Sequence, residues 1–185
     1  MKAQIYVNGE LVGTHVGGYV SFDLEVSNYV FDGENIIDVR VDNGIDIDLI
    51  PSQKADFFQF GGLTRDVWLE VKPSSFINGV KIKTPEVTNA IGRVSLVPEV
   101  NLKGDFEPAR LESKIFGPDG SLLESGLGSD FVIQNPALWS PDTPSLYRLQ
   151  VQMIDKSGSV VDTFEDHFGF RWYEFKPHGP FFLNG

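Results

Sequence analysis

The chain has 185 residues, 41% hydrophobic and 22% charged, the composition of a globular protein and not of a disordered tail. Its 15 Lys and Arg against 26 Asp and Glu give a net charge of −11, which argues against a nucleic-acid backbone or an anionic membrane surface as partner. The lack of Cys excludes disulfides, thiolate zinc sites and a Cys nucleophile, and leaves His15, His167 and His178 as the three imidazoles.

Met1 to Val7 lacks the apolar core of a signal peptide and reads as the middle of a strand. No apolar run is long enough for a membrane-spanning helix. Period-two alternation dominates the chain, and in its first part it predicts strands near 3–8, 10–13, 19–25, 35–42 and 66–71. Ile37, Val39 and Val41 fall on one face, with Asp38, Arg40 and Asp42 on the other. Later runs repeat the pattern: Val80 and Ile82; Val94, Leu96, Val100 and Leu102, with Pro98 in register pointing to an edge position; Leu111, Ser113 and Ile115; Tyr147, Leu149, Val151 and Met153. Such alternation buries one face and wets the other, as in antiparallel sheets. Asn8-Gly9, Asp32-Gly33, Asp119-Gly120 and Ser157-Gly158 provide the positive φ that tight turns need. No amphipathic helix longer than a turn or two is expected.

A boundary falls near Lys72-Pro73-Ser74-Ser75. The fold class read from the residues is all-β: a partial jelly roll over 1–75, then an immunoglobulin-like β-sandwich over 76–174, where about seven strand-like runs fit the fold.

Motifs for chemistry are scarce. Gly-x-Ser-x-Gly, His-Glu-x-x-His, phosphate-binding loops and dinucleotide fingerprints are all missing, and Gly126-Leu127-Gly128 reads as a turn; no cofactor is expected. Asp42-Asn43-Gly44-Ile45-Asp46-Ile47-Asp48 gathers carboxylates in the manner of a calcium loop, but it does not fit an EF-hand and reads better as a solvated rim. His167 and His178 meet no ligand-spacing rule and read as surface or packing residues, so no metal site is assigned. Arg65 and Asp66 read as a structural pair tying strands together, and Trp139 as packing on the sandwich edge. No carboxylate pair stands in a recognisable acid/base context, so no catalytic residue is assigned. Phe57, Phe58 and Phe60, beside Asp56 and the Gly61-Gly62 pair, are either an apolar plug or the lining of a sugar site.

Five stretches, in order, resemble glycoside hydrolase family 2, the β-galactosidase and β-glucuronidase group. Ile5 to Tyr19 resembles the strand–turn–strand of the family's galactose-binding-like sugar-binding domain, and Gly33 to Asn43 its next strand. Gly61-Gly62-Leu63-Thr64-Arg65-Asp66-Val67 is similar to the signature Gly-(Ile/Leu)-x-Arg-Asp-Val. Asn135 to Tyr147 resembles the hallmark of the immunoglobulin-like domain, and Phe168-Gly169-Phe170-Arg171 with Phe181 to Gly185 the passage into the catalytic barrel.

The resemblance implies a non-catalytic segment of a retaining β-glycosidase, cytoplasmic, periplasmic or secreted. The family's two catalytic Glu residues belong to a (β/α)8 barrel that would follow the linker starting at 175–185. The opening part of the sugar-binding domain would precede Met1. The segment would position that barrel and meet its carbohydrate, a β-glycoside, at the rim. Asp56, nine residues before Arg65, matches a family Asp that approaches the sugar and is the one substrate-binding residue the resemblance assigns. Two alternatives are an independent carbohydrate-binding module and a structural or adhesive pair of β-sandwiches. A half jelly roll leaves strand edges open, so homo-oligomers through residues 1–75 are expected.

Overall fold

The computed structural model describes residues 1–49, 57–103, 108 and 110–185. It divides into two units, Met1–Leu69 and Glu70–Gly185, and the described residues form strands and turns with no helix.

The first unit is built on a hairpin of β1 (Lys2–Val7) and β2 (Glu10–Val16). Val7 pairs with Glu10, which leaves Asn8-Gly9 as a two-residue turn with φ of 52° and 85°. Positive φ at both positions is the twist-matched hairpin turn that Asn-Gly favours. β3 (Ile37–Asp42) pairs antiparallel with the other side of β1, giving the sheet order β2-β1-β3. Ile5 and Val7 of β1 are buried.

The excursion between β2 and β3 is held by side chains. Asn8 Nδ2 donates to Tyr29 O (2.8 Å) and to Asn35 Oδ1 (2.9 Å), and Asn8 Oδ1 accepts from Ile36 N (3.0 Å). Asn35 Nδ2 in turn donates to Phe31 O (2.8 Å). The strand expected over 19–25 does not form. Its side chains lie over β2 instead: Phe22 stacks on His15 with ring centroids 4.2 Å apart, and Leu24 occupies the space where a Cβ on Gly13 would sit. Residues 66–71 also form no strand among the described residues. Alternation marks a segment able to pair, and tertiary context decides whether it does.

The second unit contains β4 (Phe76–Val87), β5 (Ile91–Asn101), β6 (Arg110–Phe116), β7 (Leu122–Gly126), β8 (Asp130–Gln134), β9 (Tyr147–Ile154) and β10 (Val160–Phe168). They make two antiparallel sheets, β4-β5-β8 and β10-β9-β6-β7, the immunoglobulin-like arrangement. Their inner faces carry the alternating residues picked out in the sequence: Val94 and Leu96 from one sheet, Ile115, Leu149, Val151 and Met153 from the other, all at most 2% exposed. Each such side chain contributes about 1.5–3 kcal/mol by leaving water. β5 is central, yet β8 pairs only with Ile91–Ser95. Leu96 N donates to Ser129 O (2.7 Å), and Pro98 turns its missing N–H the same way, past the end of β8.

Tyr147, Phe168 and Phe170 close one end of this core, with ring centroids 4.9 to 5.6 Å apart. The Tyr147 hydroxyl accepts a hydrogen bond from Ala137 N (2.8 Å), the part a corner tyrosine plays in such sandwiches. Burial raises its phenol above the ordinary value, and the hydrogen bond from Ala137 partly offsets this.

Trp139 packs at the sandwich edge. Its backbone N–H donates to Phe170 O (2.7 Å), and the Arg171 guanidinium lies 4.9 Å from its ring centre. A short hairpin ends the chain, β11 (Tyr173–Phe175) with β12 (Phe181–Leu183). Asn184 ties it back: Nδ2 donates to Trp139 O (3.0 Å), and Oδ1 accepts from Trp172 N (3.1 Å).

Candidate functional site

Asp56, the one assigned substrate-binding residue, lies outside the described residues. The described segment next to it carries the aromatic run and the Arg-Asp signature. Asn43, just past the end of β3, donates from Nδ2 to Gln59 O (3.3 Å), which fastens the segment to the sheet. Gly61 faces the same side chain, and a Cβ there would come within 3.2 Å of Asn43 Cγ. Gly62 has a φ of 80°, a conformation that favours glycine. Arg65 Nη1 donates to Tyr19 O (3.3 Å), joining the signature to the excursion after β2. This is a backbone hydrogen bond of the kind expected for Arg65, but it joins two loops and not two strands. Among the described residues no ion pair involves Asp66.

The phenylalanines of this segment face outward. Phe57, Phe58 and Phe60 are 54%, 86% and 68% exposed in the chain, so the apolar plug is not formed among the described residues. Phe58 and Phe60 sit with ring centroids 6.3 Å apart, and Phe57 lies 6.5 Å from Tyr19. Exposed aromatic faces next to polar groups can stack on the C–H faces of a sugar or on apolar protein surface.

The acidic run after β3 spends its carboxylates locally. Asp42 Oδ1 accepts from Gly44 N (2.8 Å), and Asp46 Oδ1 from Asp48 N (3.0 Å). Lys2 Nζ lies 3.0 Å from Asp46 Oδ2. That contact holds the Asp46 carboxyl below, and the Lys2 ammonium above, their ordinary values. A pair this exposed contributes little stability. No group of three or more His, Asp and Glu placed to hold a metal occurs among the described residues. His15 is stacked on Phe22, with Nε2 shielded and unpartnered among the described residues, and His178 sits in a turn with φ of 54°.

Sequence reasoning missed the asparagines that position these loops: Asn8 with Asn35, Asn43, and Asn184. An Asn-Gly pair marks three of them, at 8–9, 43–44 and 184–185, but the first reads only as a turn, the second as part of a solvated rim and the third as part of the passage into the barrel. Their reach to distant backbone has no periodic signature.

Two family models match the chain in sequence order. The model described as glycosyl hydrolases family 2, sugar binding domain, matches residues 1–73, and that described as glycosyl hydrolases family 2 matches residues 75–171. The chain belongs to glycosyl hydrolase family 2. A putative beta-glucuronidase of Formosa agariphila is 39% identical over 197 residues, covering 100% of this chain and 23% of that protein. A beta-galactosidase of Thermoanaerobacter pseudethanolicus is 28% identical, covering 99% of this chain and 26% of its own length. Among solved structures, Bacteroides uniformis beta-glucuronidase superposes with a TM-score of 0.86 at 33% identity, over 100% of this chain and 25% of that one. The family 2 chain thus spans about a quarter of the length of these relatives. It matches the sugar-binding and immunoglobulin-like domains, and the all-β fold, partial jelly roll then sandwich, is the one the sequence predicts.

Proposed function

We propose that this chain serves as the sugar-binding and immunoglobulin-like part of a retaining β-glycosidase. It positions a catalytic barrel and lends one wall, Asp56, to the sugar site. The observation that carries the reading is the unbroken order of the two family matches along one chain. In this reading 1–75 is the later part of the sugar-binding jelly roll, 76–174 the immunoglobulin-like sandwich, and 175–185 the start of the link to the barrel. The substrate class is a β-glycoside, cleaved by two barrel carboxylates about 5–5.5 Å apart through a glycosyl-enzyme intermediate. Asp56 suits its task because an ionised carboxylate accepts hydrogen bonds from two neighbouring sugar hydroxyls. The anchoring of the adjoining segment by Asn43 and Arg65 supports this role. Open strand edges are where copies of the chain associate.

The exposure of Phe57, Phe58 and Phe60 favours a second reading, an independent carbohydrate-binding module with these rings as platform. One titration separates the two. Amide and ring resonances are followed as galactose, glucuronate or mannose is added to the chain and to Asp56→Ala. Shifts that vanish in the variant support the wall. Ring shifts at the phenylalanines that survive it support the module. No shift with any sugar contradicts both the wall and the module and leaves the chain as scaffold for the barrel.

A further inference from the structure

Four Asn-Gly pairs occur in the chain, at 8–9, 43–44, 78–79 and 184–185. We infer that one of them, Asn78-Gly79 in β4, is a site of spontaneous deamidation and isomerisation, with water as the co-reactant. In this step the backbone nitrogen of Gly79 attacks the Asn78 side-chain carbonyl carbon, Cγ. The N–Cγ bond forms as the Cγ–Nδ2 bond breaks, and the Gly79 amide proton leaves with the side-chain NH2 as ammonia. Water then adds to one carbonyl of the five-membered imide and opens it. One opening gives Asp; the other gives isoaspartate, in which the main chain runs through the side-chain carbons. Nothing is oxidised or reduced. A following glycine hinders the attack least, because it has no Cβ and the widest choice of backbone angles.

The fold separates the four pairs. Cyclisation needs a side-chain amide free to turn and a following N–H free to attack. Asn8 Nδ2 donates to both Tyr29 O and Asn35 Oδ1, and its Oδ1 accepts from Ile36 N. Asn184 Nδ2 donates to Trp139 O, and its Oδ1 accepts from Trp172 N. Asn43 Nδ2 donates to Gln59 O, and the nucleophile beside it, Gly44 N, donates to Asp42 Oδ1 (2.8 Å). Asn78 differs on each count. It is exposed, and its side chain makes no hydrogen bond with a described residue. It also stands outside the ladder: Ile77 pairs with Val100 and Gly79 with Glu99, so the register shifts at Asn78 and no residue of β5 is its partner. Such a bulge leaves the extra residue unpaired and disrupts the ladder locally, which gives the backbone the freedom that ring closure requires.

The neighbours on either side are anchored. Ile77 is 3% and Val80 9% exposed, and Ile77 N donates to Asp162 Oδ2 on β10 (2.8 Å). Isoaspartate inserts one more main-chain atom between those two core positions, so it pulls on the anchors. Asp at the same place adds only a charge to an exposed side chain.

The test holds the full chain in mildly alkaline buffer, native and in urea, and follows each Asn-Gly peptide by mass spectrometry for the exchange of NH2 for OH. Isoaspartyl methyltransferase labelling marks the isoaspartate. In urea the constraints of the fold are gone, and the four sites report their local sequence. In the native chain Asn78 is expected to convert several-fold faster than Asn8, Asn43 and Asn184, and to be the site least slowed relative to urea. Gly79→Ala should slow it several-fold. That variant keeps the fold, because a Cβ there meets no atom within 4 Å and the residue does not have a positive φ. The isoaspartate fraction should unfold at lower urea than Asn78→Asp, which should match the parent. A native Asn78 no faster than the three clamped asparagines, or one indifferent to Gly79→Ala, overturns the site. An isoaspartate chain as stable as Asn78→Asp overturns its effect on β4.

Discussion

Gly92 illustrates how one residue of the sandwich is chosen by its neighbour. It lies in β5 under the ring of Phe170, and a Cβ at that position would fall 2.6 to 2.9 Å from three ring carbons. Phe170 is fully buried and touches Tyr147 and Phe168 edge-on, so it has no free direction in which to move. Gly92→Ala should therefore destabilise the second unit by about 1–3 kcal/mol, the range of an overpacked core. Urea unfolding would measure it. Because the two positions share one space, Phe170→Leu in the Gly92→Ala background should cost less than it does alone. Additive losses would mean that the close approach does not set the choice of glycine.

Among the elements, one turn shows how a carboxylate is held by its own loop. Between β9 and β10, Asp155 Oδ1 accepts from Ser157 N (2.8 Å), Ser157 Oγ (2.6 Å) and Ser159 N (2.9 Å). The Ser157 hydroxyl foremost, then the backbone N–H of Ser159, lowers the Asp155 carboxyl below its ordinary value. A group lowered by folding binds its proton more readily in the unfolded chain. Its stabilisation is complete above the ordinary carboxylate range and is lost as pH falls through the lowered value. Carboxyl-carbon NMR should find the Asp155 midpoint below that of an unstructured Asp, and Ser157→Ala should move it back up. A midpoint unmoved by that substitution would contradict the turn's role. The elements themselves were largely legible in the sequence, because period two is a local property of a half-buried strand. Tyr147, Leu149, Val151 and Met153 alternate in sequence and are all buried on one face of β9. The Asn8-Gly9 turn was legible for the same reason, since its φ values are a property of the two residues. Residues 19–25 alternate just as well yet stack on β2 by their side chains, a choice made by distant partners. The asparagine clamps were illegible on the same ground. The candidate site was legible only through the resemblance around Arg65, because a lone carboxylate has no pattern of its own.

At the scale of the molecule, the sandwich and the smaller sheet have unequal means. The second unit buries aromatic and aliphatic side chains from both of its sheets in one core. The first buries Ile5 and Val7 while leaving Phe58, Trp68, Leu69 and others largely exposed. That division agrees with the proposed function, in which this chain holds and touches and the cleavage is performed by carboxylates elsewhere. The most direct check is turnover of chromogenic aryl β-glucuronides, β-galactosides and β-mannosides by the purified 185-residue chain. The account predicts no hydrolysis above buffer. Hydrolysis that stays with the chain through successive columns and is abolished by substituting one of its own carboxylates would contradict it.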